Sequence, residues 1–460
     1  MNSGAIINAQ IVTVDKDRRI LKDAGILWEN TRISAIGSTK EIAAKAKELG
    51  ITPKDARNSV VFPGMINTHN HIFQHLLKGL GCDMNLEEWW PTVIGPTGVV
   101  LREQHVKAAT EAAAVEAIRT GTTTIVDYFQ VHPVPGLSAV EIETAREMGI
   151  RLMYGRGFRN FRKSDTFPDE LIDDLDQVFK EVEGLKKQYE DLSDPMLKMY
   201  LAPAAAWGLT FDGLSETVKF SKAVNIPITM HVFETDTDNA VCTARYGMKA
   251  IDFYERSGLL TPEFIAVHCV KMDDHDISVF KEHDVKISHN PLSNMILSSG
   301  VAPVPAFRKA GLTVSIACDG AASNNSNNML EVLKSTALLH KVTSGDPQIL
   351  SAYDVLEMAT MGGARAIGLE NEVGSLEVGK RADMFLFNPV RSATCCPMHD
   401  PVAGLVYSSD SRGITMTVIN GKVVLEDDVL LGMDEEGILC NEQQQALDLI
   451  AKTDFSRACK

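Results

Sequence analysis

Several things are missing from these 460 residues, and each absence removes a class of function. There is no clustered run of Lys and Arg, and the formal net charge is −16. Phosphate backbones and anionic lipid surfaces are held by concentrated positive charge, so neither nucleic acid nor membrane is expected as a partner. No apolar run approaches the roughly 20 residues of a membrane span. Residues 1–14 lack the basic start and long apolar core of a secretory signal, so a cytoplasmic location is expected. The eight cysteines, at positions 82, 242, 269, 318, 395, 396, 440 and 459, have neither metal-site nor disulfide spacing and read as reduced, mostly buried small residues. A glycine-rich phosphate turn after the first parallel strand is also absent, which counts against a doubly wound nucleotide-binding sheet.

What is present is a soluble, globular composition, 45% hydrophobic and 23% charged. The length suits a large α/β barrel with an accessory domain. Residues 4–36 alternate apolar and polar positions in short runs divided by turn residues, as in an antiparallel sheet. The same pattern returns at 382–387 and 414–425, so the two ends are expected to build one small β-sandwich. Between them, short β-branched runs alternate with helical stretches. The strand candidates are Val60–Asn67, Thr122–Tyr128, Arg151–Arg156, Lys198–Pro203, Ile226–Phe233, Phe264–Cys269, Val285–His289 and Leu312–Asp319. Eight strand–helix units predict an α/β fold, a distorted (β/α)8 TIM barrel, whose active site lies where the strands end. The expected division is 1–59 plus 375–440 for the sandwich, 60–374 for the barrel and 441–460 for a C-terminal helix. Helices are expected at Glu170–Tyr189 and Glu442–Lys452, among others.

The strand ends carry the chemistry. His69 and His71 stand two apart, so on a strand both imidazoles point to one face. His231 closes the fifth strand, His268 the sixth and Asp319 the eighth. Three histidines and a carboxylate make a donor set for Zn²⁺ or Fe²⁺ with room for a water, whose pKa the ion would lower toward neutrality. Glu234, three residues past His231, is placed to shuttle a proton, and His268 to polarise a developing oxyanion or amine. His289 also ends a strand and is a candidate neighbour of the site. The remaining histidines read as ordinary structural residues.

These segments resemble the amidohydrolase superfamily: Pro63 to His71, His231 to Thr235, His268 to Val270, Ser288 to Asn294 and Asp319 to Asn325. With Gly374 to Asp383 they are most similar to the branch of methylthioadenosine/S-adenosylhomocysteine deaminases, 8-oxoguanine deaminases and s-triazine hydrolases. The resemblance implies one divalent ion per subunit on His69, His71, His231 and Asp319, with Glu234, His268 and Asp319 serving the chemistry, and a homodimer. Strand four ends Tyr200-Leu201-Ala202-Pro203 without a bridging lysine, as in the mononuclear members.

Departures from the branch bear on substrate. Nucleoside deaminases of the family carry a ribose-binding glutamate where this chain reads Gly95-Pro96-Thr97-Gly98. They tend to have a histidine where this chain has Ala204. Gln74 resembles the residue of the oxopurine and triazine enzymes, and its amide can pair with the edge of a ring. Arg156 matches a substrate-contacting arginine of relatives, and Trp89, Trp90 and Trp207 could wall a flat ring. The expectation is an aminohydrolase of a free oxopurine, pterin or aminotriazine. The alternatives are a deaminase of S-adenosylhomocysteine or methylthioadenosine, a triazine hydrolase expelling chloride or an alkylamine, and an inactive barrel used for binding.

Overall fold

The computed structural model describes residues 3–162 and 167–454. Strands β1 (Gly4–Val12), β2 (Ile20–Glu29) and β3 (Arg32–Ser38) form an antiparallel meander, and β4 (Lys54–Asp55) and β5 (Val60–Pro63) run parallel to β1. The chain then enters the barrel through β6 (Met65–Asn70), β7 (Thr122–Phe129), β8 (Arg151–Phe158) and β9 (Leu197–Pro203), all parallel. A second parallel set follows in β10 (Thr229–Val232), β11 (Ile265–His268), β12 (Lys286–His289) and β13 (Val314–Ile316).

Two seams join the sets into a distorted barrel. At one, the Leu201 amide donates to the Pro227 carbonyl at 2.9 Å; at the other, the Asp319 amide donates to the His69 carbonyl at 3.0 Å. Inside, the Thr68 hydroxyl meets those of Ser288 and Ser315 at 2.8 Å each, a buried polar layer whose members answer one another.

Leaving the barrel, β14 (Met384–Phe387), β15 (Ile414–Ile419), β16 (Lys422–Glu426) and β17 (Val429–Leu430) extend the first sheet, because β14 pairs with β5. Nine strands from the two chain ends thus share one sheet. It rolls over on itself. Ile26 and Trp28 of β2 share a core with Met384, Leu386, Met416 and Val418, and the Trp28 indole donates to the Gly421 carbonyl. The sandwich is therefore one folded sheet, since β5 bridges the halves.

The expected first barrel strand, Val60–Asn67, is in fact two strands in two sheets. Gly64 is the break. Its amide donates to the Asp383 carbonyl, and a Cβ there would lie 2.3 Å from the Thr123 side chain, so only glycine lets the chain cross between the layers. A buried clamp lies close by: Arg151 of β8 pairs with Asp383 and also donates to Thr124.

Helix starts also move. The expected helix at Glu170 begins at Leu175, because the Asp174 carboxylate caps it by accepting the Gln177 amide. The C-terminal helix begins earlier than expected, at Glu435, capped by Asp434. It packs along helix Glu103–Arg119 through Leu449, an Arg119–Glu435 ion pair and a bond between His105 and Asp448, and it meets the 3-10 turn Ile72–Leu77 through His75 and Glu442. Among the described residues no helix is long and apolar enough to cross a membrane. Cys269 and Cys318 are buried packing residues, and Cys459 lies outside the described residues.

Candidate active site

His69 lies on β6 and His71 one residue past its end, so the two rings approach edge to face with centroids 4.7 Å apart. His231 comes from β10 and Asp319 from the turn after β13. Their donor atoms converge. His231 Nε2 lies 3.1 Å from His69 Nε2 and 3.2 Å from His71 Nε2. Asp319 Oδ1 lies 3.3 Å and 3.4 Å from the same two nitrogens of His69 and His71.

This set fits a cation. His71 Nδ1 donates to the Tyr128 carbonyl at 2.6 Å, which leaves its Nε2 lone pair aimed at its neighbours. Lone pairs that close repel unless a positive charge lies between them. Bonds of about 2.0–2.1 Å to a tetrahedral ion correspond to donor separations of about 3.3–3.4 Å. Burial pushes the imidazoles toward the neutral form that binds metal, His71 to about 3 and His231 well below its ordinary value. Burial alone would raise the Asp319 carboxyl, but the hydrogen bond and charge of His69, with His268 and His71 nearby, hold it well below the usual range.

Glu234 and His268 face this cluster. His268 Nε2 lies 3.6 Å from Glu234 Oε2 and 3.9 Å from Asp319 Oδ2. Its Nδ1 donates to the Asn294 side-chain oxygen at 2.9 Å, which fixes the ring and turns Nε2 inward. Burial raises the Glu234 carboxyl to about 7, so it can both give and take a proton near neutral pH. The backbone is left-handed at Phe233, His268 and Asp319, with φ of 54°, 73° and 64°. For non-glycine residues that costs about 1–3 kcal/mol each and persists only where the surroundings over-determine it.

Sequence reasoning passed over Asn67 and Asn70, which alternate with the histidines. The Asn67 side-chain oxygen accepts the Cys318 amide, and the Asn70 amide donates to the Asp319 carbonyl and to Asn327. Both tie the Asp319 turn to β6. Asn67 stands two residues before His69 and Asn70 lies between the two histidines, and this nearness in Asn67-Thr68-His69-Asn70-His71 was the available signal.

Above the cluster opens a narrow recess. Trp89, Trp90, Trp207 and Tyr128 line it with Gln130, Arg159, Ala204, Leu297 and the polar cluster. Three residues expected to meet substrate are placed elsewhere. Gln74 follows His71 in a 3-10 turn that carries it beneath Gly320, where a Cβ would come within 1.9 Å of its Oε1. Arg156 is turned away, bonded to Asp173 and Glu181 at 3.1 Å each. His289 pairs with His340, Nε2 to Nε2, at 3.2 Å, away from the recess wall. The arginine in the wall is Arg159, three residues beyond the one singled out from sequence.

Residues 60–424 match the Amidohydrolase family. The chain is 33% identical over 448 residues to a 5'-deoxyadenosine deaminase of Methanosarcina acetivorans, covering 97% of this chain and 98% of the relative. It is 36% identical over 397 residues to a 5-methylthioadenosine/S-adenosylhomocysteine deaminase of Desulforudis audaxviator, covering 86% and 88%. Among solved structures it is similar to an adenosine deaminase from Xanthomonas campestris with bound zinc, with TM-score 0.88, 26% identity and coverage of 97% and 98%. It is also similar to an atrazine chlorohydrolase from Arthrobacter aurescens complexed with zinc, with TM-score 0.90, 25% identity and coverage of 96% and 99%.

Proposed function

Because the chain belongs to the amidohydrolase family, we propose that it hydrolyses the bond between an exocyclic amine and a ring carbon of a nitrogen heterocycle, releasing ammonia. The observation that carries this is the meeting of Glu234, near neutral pKa, with His268 and the His69–His71–His231–Asp319 donor set. Those four residues would hold one divalent ion per subunit, Zn²⁺ or alternatively Fe²⁺. When bound, such an ion acidifies water toward neutral pH.

The protein's own groups divide the proton work. In the reaction the oxygen of water bonds to the amine-bearing carbon and the carbon–nitrogen bond breaks. One proton of the water goes to the ring nitrogen and the other to the departing amine. Glu234 is suited to carry both, because a carboxyl with a pKa near 7 is a competent base and then a competent acid. With Nδ1 donating to Asn294, His268 turns the Nε2 lone pair toward the attacking water, from which it can accept a hydrogen bond. Ionised Asp319 accepts a hydrogen bond from the attacking water.

For the ring we favour a free oxopurine, pterin or aminotriazine. Trp89, Trp90 and Trp207 offer apolar faces to a flat ring, and the carboxylates lining the recess among the described residues are Glu234 and Asp319, both committed to the polar cluster. Residues 95–98, the region where the family's ribose-binding acid is expected, hold no acid, and Gly98 packs near Val131 and Leu171. A second reading, a 5'-modified adenosine, is favoured by the named activities of the relatives. The test is an ammonia-release screen over aminopurines, pterins, aminotriazines and adenosine derivatives, run beside Glu234→Gln. The variant should keep its metal and lose about 100- to 10,000-fold in turnover. Full activity in Glu234→Gln sinks the assignment, and ammonia from adenosine derivatives alone selects the second reading.

A further inference from the structure

Arg159 is 2% exposed, yet it lines the recess that holds Glu234, His268 and Asp319. Its guanidinium sits 4.7 Å from the ring centre of Trp90, 4.8 Å from Phe167 and 5.5 Å from Trp207. Aromatic faces attract a cation and hold it flat, but they accept no ordinary hydrogen bonds. Among the described residues its Nε and Nη1 have no hydrogen-bond partner. The carboxylate that could have answered it is engaged: Asp173 accepts the Arg159 backbone amide through one oxygen and the Arg156 guanidinium through the other. Burial lowers the Arg159 pKa only to about 10, so the group is charged at neutral pH. Asp173 still acts on the Arg159 charge from nearby, but no carboxylate among the described residues is bonded to the guanidinium, and a buried charge with unmet donors is costly.

From this aromatic cage and its unanswered donors we infer that Arg159 is the specificity residue of the recess, binding an anionic or strongly polarised oxygen of the substrate. This rests on the proposed deaminase reading and narrows it: besides the amine to be removed, the substrate carries such an oxygen. Two sources share that chemistry, an oxo group on the ring that ionises or tautomerises, and a carboxylate on a side arm. Gln130, whose Nε2 is also buried and unpartnered, stands in the same wall and can donate to the same group.

The experiment uses matched pairs. 8-Oxoguanine against guanine differ by the 8-oxo group, guanine against 2-aminopurine differ by the 6-oxo group, and S-adenosylhomocysteine against methylthioadenosine differ by the carboxylate-bearing arm. Ammonia release gives kcat/KM for the metal-loaded wild type, Arg159→Met and Arg159→Lys. Tryptophan fluorescence titration gives Kd for the same compounds whether or not they turn over. In one pair the wild type should prefer the oxygen-bearing member, and Arg159→Met should reduce that preference about 10- to 100-fold, the scale of a hydrogen bond to a charged group. Arg159→Lys should keep part of it. Which pair responds identifies the source of the oxygen. An equal loss on both members of each pair, or no preference in the wild type by rate or by Kd, overturns the inference. Absence of ammonia from every compound, with the Kd preference and its loss in Arg159→Met intact, rejects the deaminase reading and leaves the role of Arg159 standing.

Discussion

Arg156 and Arg159 stand three residues apart at the end of one strand and meet opposite surroundings. Arg156 is clasped by Asp173 and Glu181, at 3.1 Å each, and is bound up in the fold. Arg159 has three aromatic rings and two unanswered nitrogens. In our reading the difference is how one residue type serves structure in one place and recognition in the next: carboxylates bonded to the guanidinium make a clamp, and a cage of rings leaves its donors for an outside partner.

The sharpest way to break the comparison is to remove the clamp. Arg156→Met strands two acids beside each other, one largely buried, and breaking a buried pair in this way typically costs about 3–5 kcal/mol. Glu181 is partly solvated, with its side chain 31% exposed, which argues for the lower end. Chemical denaturation of metal-loaded protein measures it. A variant as stable as the wild type would mean that the pair holds nothing together.

A third arrangement sharpens the comparison from the opposite charge. Asp127, on β7, and Glu141 are both buried and face each other, and among the described residues no Lys or Arg is bonded to either. Burial raises Asp127 to about 7 and Glu141 well above its ordinary range. A proton must stand where Arg156 stands in its own cluster. Because these folded-state pKa values lie above the unfolded ones, the stability they contribute is full below about pH 4 and is lost as pH rises toward and past 7. Glu141→Gln removes one ionisable group, so its stability relative to wild type should improve as pH rises from 5 to 8. Melting curves at several pH values read this directly, and a difference that stays flat with pH contradicts it. The pair also matters to the site, since the Ile72 amide, next to His71, donates to Asp127 Oδ1 at 2.6 Å.

These contrasts also mark what the sequence made legible. The convergence of His69, His71, His231 and Asp319 could be read because a strand's two-residue period and the strand–helix rhythm are local patterns. The barrel with a sheet from both chain ends could be read for the same reason. The break at Gly64 could not: it depends on Asp383 and Thr123, remote in sequence. Gln74 is expected to meet substrate because it resembles the residue of the oxopurine and triazine enzymes, but a 3-10 turn sets its direction. Arg156 and Arg159 are indistinguishable by local pattern. Their roles are decided by carboxylates at 173 and 181 and by rings at 90, 167 and 207, which only the folded chain assembles.

The smallest predicted effect tests the comparison most closely, because it has the opposite sign to the first. If Arg159 is kept charged for a ligand, the ligand-free fold bears the cost of burying it. Methionine fills similar volume among the rings without a charge, and its sulfur packs well against aromatic edges. Arg159→Met should therefore stabilise the ligand-free protein by about 1 kcal/mol, the usual trade between a binding site and the fold that carries it. The same variant should gain less melting temperature than wild type when an oxygen-bearing heterocycle is added, since a ligand stabilises only in proportion to its affinity. The two measurements must move in opposite directions. A variant destabilised as Arg156→Met is would place Arg159 among the clamps and erase the distinction between the two arginines.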